Sequence, residues 1–175
     1  MGEQRIAWAI TGAGHLLTES AERLLRRENV DIFLSRAAEE VLRMYRLKER
    51  IYGHGARVYR ETLASSPLVV RFPQGIYRVL VVAPATSNSV AKFVHGISDS
   101  LVTNLFAQAG KSRVPIIVLP TDLAPEMDSV GPHGDRIEVY PRPIDLENTE
   151  KLRKFSGVTV VTSVEEMERC LDTCL

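Results

Sequence analysis

Short segments of Gly, Ser, Thr and Asn recur along this chain, and each one directly follows an apolar run. They are Thr11-Gly12-Ala13-Gly14-His15, Ser35-Arg36-Ala37, Pro84-Ala85-Thr86-Ser87-Asn88-Ser89 and Pro120-Thr121-Asp122. Glycine lets a backbone approach a ligand closely, and small hydroxyl and amide side chains beside free N–H groups at helix N-termini suit a phosphate monoester. Each segment alone is most often a helix cap. Their recurrence after successive apolar runs favours a phosphorylated ligand.

The glycine-rich segment matches neither of the two common nucleotide-binding motifs. No lysine follows the glycines as it does in a P-loop. Gly12 and Gly14 also lack the third glycine of the dinucleotide fingerprint. The spacing therefore argues against a P-loop NTPase and against an NAD-binding Rossmann unit of the usual type.

Apolar runs and helical periodicities alternate along the whole chain. Strands are predicted at residues 5–10, 30–34, 79–83, 114–119, 136–140 and 158–162. Helices are predicted at residues 15–27, 36–45, 56–63, 89–95, 99–108, 146–155 and 164–175. Pro84 and Pro120 are expected to end their strands, and residues 121–134 are expected to form a long loop. The alternation predicts an α/β fold with right-handed crossovers and a parallel sheet.

That architecture brings the polar segments together. In an open parallel sheet, ligands bind outside the carboxyl ends of the strands. The segments that follow the predicted strands are therefore expected to meet at one edge of the sheet. The loop at residues 121–134 is long enough to be a lid over a site there, and we treat that role as a hypothesis.

Composition limits the class of protein. The 175 residues are 45% hydrophobic and 25% charged, which predicts one globular domain over residues 1–175. The 22 basic and 22 acidic residues balance, which argues against a nucleic-acid partner. No apolar run reaches the roughly 18 residues that span a bilayer, and no secretory signal is evident, so we predict a cytoplasmic protein with no membrane partner. Cys170 and Cys174 are expected to be ordinary helix residues, and no metal site is predicted.

The segment from Ala83 to Thr103 resembles the signature of a flavoprotein family that includes phosphopantothenoylcysteine decarboxylases and lantibiotic-type cysteine decarboxylases. Residues 84–89, Pro-Ala-Thr-Ser-Asn-Ser, are similar to that family's Pro-Ala-Ser-Ala-Asn-Thr motif. Ala91-Lys92, Gly96-Ile97 and Asp99-Ser100-Leu101 continue the resemblance in register.

The resemblance implies a Rossmann-like three-layer α/β/α domain that binds FMN at a subunit interface of a homo-oligomer, commonly one built on a trimer. It also implies which side chains lie near the cofactor, with the residues from 98 to 103 facing the flavin ring. The implied cofactor-binding residues are Thr11, Gly12, Ala13, Gly14, His15, Ser35, Ala37, Pro84, Thr86, Ser87, Asn88, Ser98, Asp99, Leu101 and Thr103.

One departure from the decarboxylases favours redox chemistry. Those enzymes follow their fourth strand with Pro-x-Met-Asn, whereas this chain reads Pro120-Thr121-Asp122. That segment, together with the opening run from Ile6 to Leu17, is similar to a redox branch of archaeal-type flavoproteins and dihydromethanopterin reductases. The resemblance implies an FMN-dependent oxidoreductase with a pterin substrate and NAD(P)H as electron donor. No Cys precedes Cys170, so an iron–sulfur segment found in some archaeal relatives has no counterpart here.

Two side chains are candidates for catalysis in that reading. His15 could bond a phosphate or donate a proton to the pterin, and Asp122 could orient substrate or transfer a proton. The alternatives are a solvent-touching histidine at a helix start and a turn-capping aspartate. Two other functions stay open at this point, an FMN-dependent decarboxylase of a cysteine-containing substrate and a flavoprotein electron carrier.

Overall fold

A parallel sheet forms the centre of the protein. The computed structural model describes residues 4–62 and 70–174, and within them six strands build the sheet in the order β3-β2-β1-β4-β5-β8. The strands in chain order are β1 (Arg5–Ile10), β2 (Val30–Leu34), β3 (Arg57–Arg60), β4 (Tyr77–Ala85), β5 (Ile116–Pro120), β6 (Met127–Val130), β7 (Arg136–Val139) and β8 (Val158–Val160). β6 and β7 form a separate antiparallel hairpin.

Helices cover both faces of the sheet. They are α1 (Leu17–Leu24), α2 (Arg36–Met44), α3 (Lys48–Gly53), α4 (Ser87–Val94), α5 (Leu101–Lys111), α6 (Pro143–Leu152) and α7 (Val164–Thr173). Side chains alternate along a strand, so Ile6, Trp8 and Ile10 pack with α1, α2 and α7, while Ala7 and Ala9 pack with α4, α5 and α6. The predicted three-layer α/β/α class is confirmed. Trp8 is completely buried and donates to the carbonyl of Ala83 at 3.1 Å, as expected of a core residue.

One predicted helix is wrong. Residues 56–62 contain the short strand β3, which pairs in parallel with β2, and residue 63 lies outside the described residues. Half-buried Val58 and Tyr59 face opposite sides between Arg57 and Arg60, and over so few residues this pattern resembles one turn of an amphipathic helix. Pairing with buried β2 decides in favour of the strand.

Pro84 does not end its strand as predicted, whereas β5 does end at Pro120, one residue beyond the predicted bound. β4 continues through Pro84 to Ala85, and Ala85 pairs with Pro120 at the end of β5. Proline lacks an N–H but keeps its carbonyl as an acceptor. The Pro84 carbonyl accepts from the backbone N–H of Thr11 at 3.3 Å, so the ladder to β1 continues on that side.

The predicted loop at residues 121–134 contains β6. Its partner β7 corresponds to the predicted strand at residues 136–140, but it pairs antiparallel with β6 and does not join the parallel sheet. The turn between them contains Gly131, Pro132 and Gly134, whose turn-forming character hid the short strand. In the described part of the chain, no helix is both long enough and apolar enough to cross a membrane.

A buried carboxylate forms ion pairs at the edge of the sheet where the parallel strands begin. Asp31, near the start of β2, has no exposed surface, and its carboxylate accepts from Arg5 and Arg71 and from the hydroxyl of Tyr77 at 2.7 Å. Burial, with the neighbouring Asp31 carboxylate, raises the pKa of Tyr77, so its hydroxyl stays a donor. The charge of Asp31 is therefore balanced by its neighbours within the fold.

Candidate functional site

An open cleft lies at the carboxyl edge of the sheet, where the strand order reverses. β1 has β2 on one side and β4 on the other, and the crevice at such a reversal is where parallel α/β sheets bind ligands. The main cleft, about 400 Å³, opens there. Its floor is lined by the predicted site residues Ala13, Gly14, His15, Thr86, Ser87, Asn88 and Asp122 and by Thr121.

Thr11 forms hydrogen bonds that join the loops after β1 and β4 beneath this cleft. Its hydroxyl donates to the Pro84 carbonyl at 2.8 Å and accepts from the backbone N–H of Thr86 at 2.9 Å. The side chain is only 2% exposed. Both hydrogen-bonding capacities of the hydroxyl are therefore used to hold the β1 and β4 loops together, and Thr11 shapes the cleft from below.

The N-terminus of α4 faces the cleft. Thr86 caps this helix by accepting from the N–H of Ser89 at 3.3 Å, and its hydroxyl lies 3.0 Å from the Ser89 hydroxyl. Ser87 and Asn88 are the first two helical residues, whose N–H groups have no partner within an α-helix. These N–H groups, the nearby hydroxyls and the helix dipole make this end of the cleft suitable for an anion.

His15 stands above the β1 end of the cleft. Burial lowers its pKa below the ordinary value of 6.5, and the nearby carboxylates of Glu19 and Asp122 offset part of that shift. The imidazole is therefore neutral at pH 7 and can both donate and accept a hydrogen bond. Asp122, half-buried after β5, lines the same cleft. The structure thus places both candidate catalytic side chains at one site.

The β6–β7 hairpin forms a roof over the cleft. The side chains that line the cleft from this hairpin, which we call the inner face, are Met127, Ser129, Ile137 and Val139. Cross-strand pairing puts Ser129 opposite Ile137 and Met127 opposite Val139, which fits one face of the hairpin. On the other face Arg136 pairs with Asp128 at 2.7 Å. The hairpin is therefore apolar toward the cleft and charged toward solvent.

Other predicted site residues adjoin the cleft without lining it. Ser35 caps α2 by accepting from the N–H of Ala38 at 3.1 Å. A side chain at Gly12 would overlap the methyl group of Ala37, so this glycine permits the first loop to lie against α2. Pro84 lies within β4.

The residues expected to face a flavin ring lie elsewhere on the protomer. Ser98 and Thr103 line a separate cavity of about 280 Å³ between α4 and α5, which we call the helix cavity. Asp99 is exposed and pairs with Lys92 at 2.8 Å, whereas Leu101 is buried in the core. Within one protomer the structure does not bring these four residues to the main cleft.

Two residues that sequence reasoning missed connect the parts of the site. Tyr45 follows α2 and lines the main cleft. Glu61 follows β3, and its carboxylate accepts from the N–H of Arg36 at 3.0 Å and from the N–H of Leu101 at 2.8 Å, the first residues of α2 and α5. No local motif marks either residue, since each acts on a segment distant in sequence.

Comparison with known proteins gives consistent matches over the whole chain. The Flavoprotein family model matches residues 1–175, which confirms the family resemblance. The dihydromethanopterin reductase (acceptor) of Methanosarcina mazei is 45% identical over 233 aligned positions, covering 94% of this chain and 98% of that protein. Because this alignment is longer than the present 175 residues, that relative has residues with no counterpart here.

Two solved structures of related proteins are also similar to this chain. The crystal structure of Burkholderia xenovorans DmrB in complex with FMN, a cubic protein cage for redox transfer, is 43% identical with a TM-score of 0.89, covering 97% of this chain and 94% of that one. Phenylacrylic acid decarboxylase from Aquifex aeolicus is 26% identical with a TM-score of 0.68, covering 98% of this chain and 97% of that one.

Proposed function

The chain belongs to the flavoprotein family, and from that premise we propose that it is an FMN-dependent oxidoreductase that reduces dihydromethanopterin. The observation that carries this proposal is the 45% identity to a dihydromethanopterin reductase over nearly the full length of both proteins. The structural similarity to FMN-bound DmrB supports the cofactor. Decarboxylation of a cysteine-containing substrate is the weaker alternative, because the decarboxylase match is at 26% identity and the chain reads Pro120-Thr121-Asp122 after β5.

The lining of the main cleft suits both parts of FMN, its phosphate and its flat ring system. The N–H groups of Ser87 and Asn88 and the hydroxyl of Thr86 suit the phosphate. The apolar inner face of the hairpin suits a flat ring system. When bound, FMN would supply two-electron transfer between a reduced donor and a C=N bond, chemistry that amino-acid side chains cannot perform.

We assign the protein's own part in the reaction to binding, orientation and proton handling. Neutral His15 can hydrogen-bond a ligand through its ring N–H, and its unprotonated ring nitrogen can accept a hydrogen bond or a proton. The Asp122 carboxylate, on the same floor, can accept the N–H groups of a pterin ring or pass a proton to it. With a ligand bound, the apolar side chains of the hairpin above them would limit the access of water to the reacting groups.

The helix cavity has a role in this scheme only in an oligomer. Ser98 and Asp99 are exposed and lie away from the main cleft of their own protomer, so they can reach a cofactor only in a neighbouring copy. Thr103 is 2% exposed, and its hydroxyl bonds Ser100 at the start of α5, so its part is to shape that segment. We therefore propose a homo-oligomer in which the segment between α4 and α5 of one copy completes the site of the next, and the family resemblance implies that this oligomer is built on a trimer. DmrB, the FMN-bound relative, assembles as a cage.

The test is a stepwise anaerobic titration of the FMN-loaded protein. NADH or NADPH, the proposed donors, should bleach the flavin absorbance, and dihydromethanopterin should restore it in a ratio of one pterin to one flavin. His15→Gln and Asp122→Asn should slow the second step by about 10- to 100-fold, because positioned acid–base groups contribute about that much or more.

Two other results would redirect the assignment. Absorbance that stays bleached in the presence of dihydromethanopterin, with carbon dioxide release from a cysteine-terminal peptide, would establish the decarboxylase instead. Rapid flavin reduction by protein donors, with no turnover of either small molecule, would establish an electron carrier.

A further inference from the structure

One hydrogen bond from Tyr45, which we call the tie, joins the β6–β7 hairpin to the body of the protein. The Tyr45 hydroxyl donates to the backbone carbonyl of Val130 at 2.9 Å, across 85 residues of sequence. Val130 is the last residue of β6, next to the turn of the hairpin. Tyr45 itself is the C-cap of α2, so its backbone is fixed by the end of that helix. The bond therefore joins a rigid element to a two-stranded hairpin that lies outside the parallel sheet.

The same side chain contacts the glycine-rich turn of the site. A methyl group added at Gly14 would overlap the Tyr45 hydroxyl and lie 2.8 Å from the ring carbon Cζ. Gly14 has no unusual backbone angle that would itself require glycine. The space that glycine leaves here is filled by Tyr45, so the turn, the tyrosine and the hairpin form one continuous set of contacts.

Tyr45 also stands between two cavities. It lines the main cleft and a neighbouring cavity of about 450 Å³, which we call the outer cavity, and both are also lined by Gly14, His15 and Ser129. The hairpin contributes Ser129 to both cavities, so its position affects the shape of both.

We propose that Tyr45 is a positioning residue that holds the β6–β7 hairpin closed over the main cleft and aligns it with the Gly14 turn. The inner face, with Met127, Ile137 and Val139, then covers the planar ring of the ligand. The part of this inference that concerns a ligand rests on the proposed function. The tie itself does not, because it exists in the protein without any ligand.

The chemistry of tyrosine suits this task. Burial raises the pKa of Tyr45, and the nearby carboxylates of Asp135 and Glu19 raise it further, so the hydroxyl stays protonated and remains a donor. The ring fills the space beside Gly14 whether or not the hydroxyl is present. Phenylalanine at this position therefore removes the hydrogen bond and the hydroxyl next to Gly14 but keeps the ring in place.

The tie is tested first on the protein without cofactor. Tyr45→Phe should speed amide hydrogen exchange at residues 127–130 and 136–139 by a factor of about 2 to 10, the range expected for one hydrogen bond. Tyr52→Phe is the matched control, because it removes the hydroxyl that donates to Glu39, away from the hairpin. Hairpin exchange at the wild-type rate in Tyr45→Phe would overturn the tie.

The second test uses the FMN-loaded protein. Tyr45→Phe should raise iodide quenching of the bound flavin and the KM for the acceptor, each by about 2- to 10-fold, while kcat changes less than 2-fold. Faster hairpin exchange without any change in quenching or KM would overturn the covering role. Failure of the wild-type protein to bind FMN would instead refute the proposed function, and the exchange test would still decide the tie.

Discussion

His15 occupies the point where the main cleft and the outer cavity meet, and its protonation state decides what it can do there. Its folded-state pKa lies below 6.5, so the unfolded chain takes up a proton at a higher pH than the folded chain does. Protonation then favours the unfolded state. This group therefore makes the protein less stable as pH falls through 6.5 toward the folded pKa, and has no such effect above that window.

We expect an NMR titration of the His15 ring in the cofactor-free protein to have its midpoint below 6.5. Glu19→Gln should lower that midpoint further, because the carboxylate at that position stabilises the imidazolium. In urea unfolding, His15→Gln should lose part of the fall in stability between pH 7.5 and 5.5, a window chosen around the ordinary histidine pKa. A midpoint above 6.5 would contradict burial as the dominant influence on this side chain.

Residue types indicated the site, but not how each residue is used. Thr11 and Ser87 are both small hydroxyl residues after strands, and the same pattern selected both. In the structure the Thr11 hydroxyl is committed to Pro84 and Thr86, whereas Ser87 lines the cleft. The difference depends on a contact 73 residues away in sequence, which local spacing cannot reveal.

At the scale of elements, Glu61 fixes the relative positions of two helices. Its carboxylate bonds the first N–H of α2 and the first N–H of α5, and its own N–H donates to the Leu34 carbonyl at 3.0 Å. A carboxylate at a helix N-terminus also interacts favourably with the helix dipole. The residue thus joins the β2–α2 connection to the start of α5, beside the segment from 98 to 100.

We expect Glu61→Ala to lower the free energy of unfolding by about 2 kcal/mol, because two N–H groups lose a charged acceptor. Glu61→Gln should lose about half as much, since the amide retains one acceptor oxygen. Urea denaturation of these variants, with the exposed Glu40→Ala as a control on α2, is the measurement. Equal stability of Glu61→Ala and wild type would show that solvent replaces the carboxylate at both helices.

The two buried strands beside the site followed from the sequence, but two short, partly exposed strands did not. β1 and β2 have the predicted bounds because their buried apolar runs, Ile-Ala-Trp-Ala-Ile in β1 and Ile-Phe-Leu in β2, carry an unambiguous pattern. β3 and β6 have four residues each, too few to separate strand from helical turn or loop. Their pairing with β2 and β7 exists only in the folded chain, and the hairpin roof of the site depends on it.

At the scale of the whole molecule, the ion pair that belongs to the fold and the residues that line the ligand cleft lie toward opposite ends of the strands. The buried Asp31 ion pair lies near the start of β2, while the polar floor lies beyond the carboxyl ends of β1, β4 and β5. The helix cavity is a third region, between α4 and α5. The sequence resemblance assigned Ser98 and Thr103, which line the helix cavity, to the same site as the cleft residues. In the proposed oligomer, the two groups meet only between neighbouring copies.

The central claim is that the main cleft binds FMN, and an equilibrium titration of the purified, cofactor-free protein with FMN tests it most directly. We expect saturable quenching of flavin fluorescence with a micromolar or tighter Kd, about −8 kcal/mol or stronger. Asn88→Leu should weaken binding by about 10-fold or more, because it replaces the amide side chain that lines the cleft by an apolar group beside the anion-binding N–H groups. Tyr52→Phe should not change the Kd. Folded protein that leaves flavin fluorescence unchanged at tens of micromolar FMN, roughly tenfold above the expected Kd, would contradict the claim.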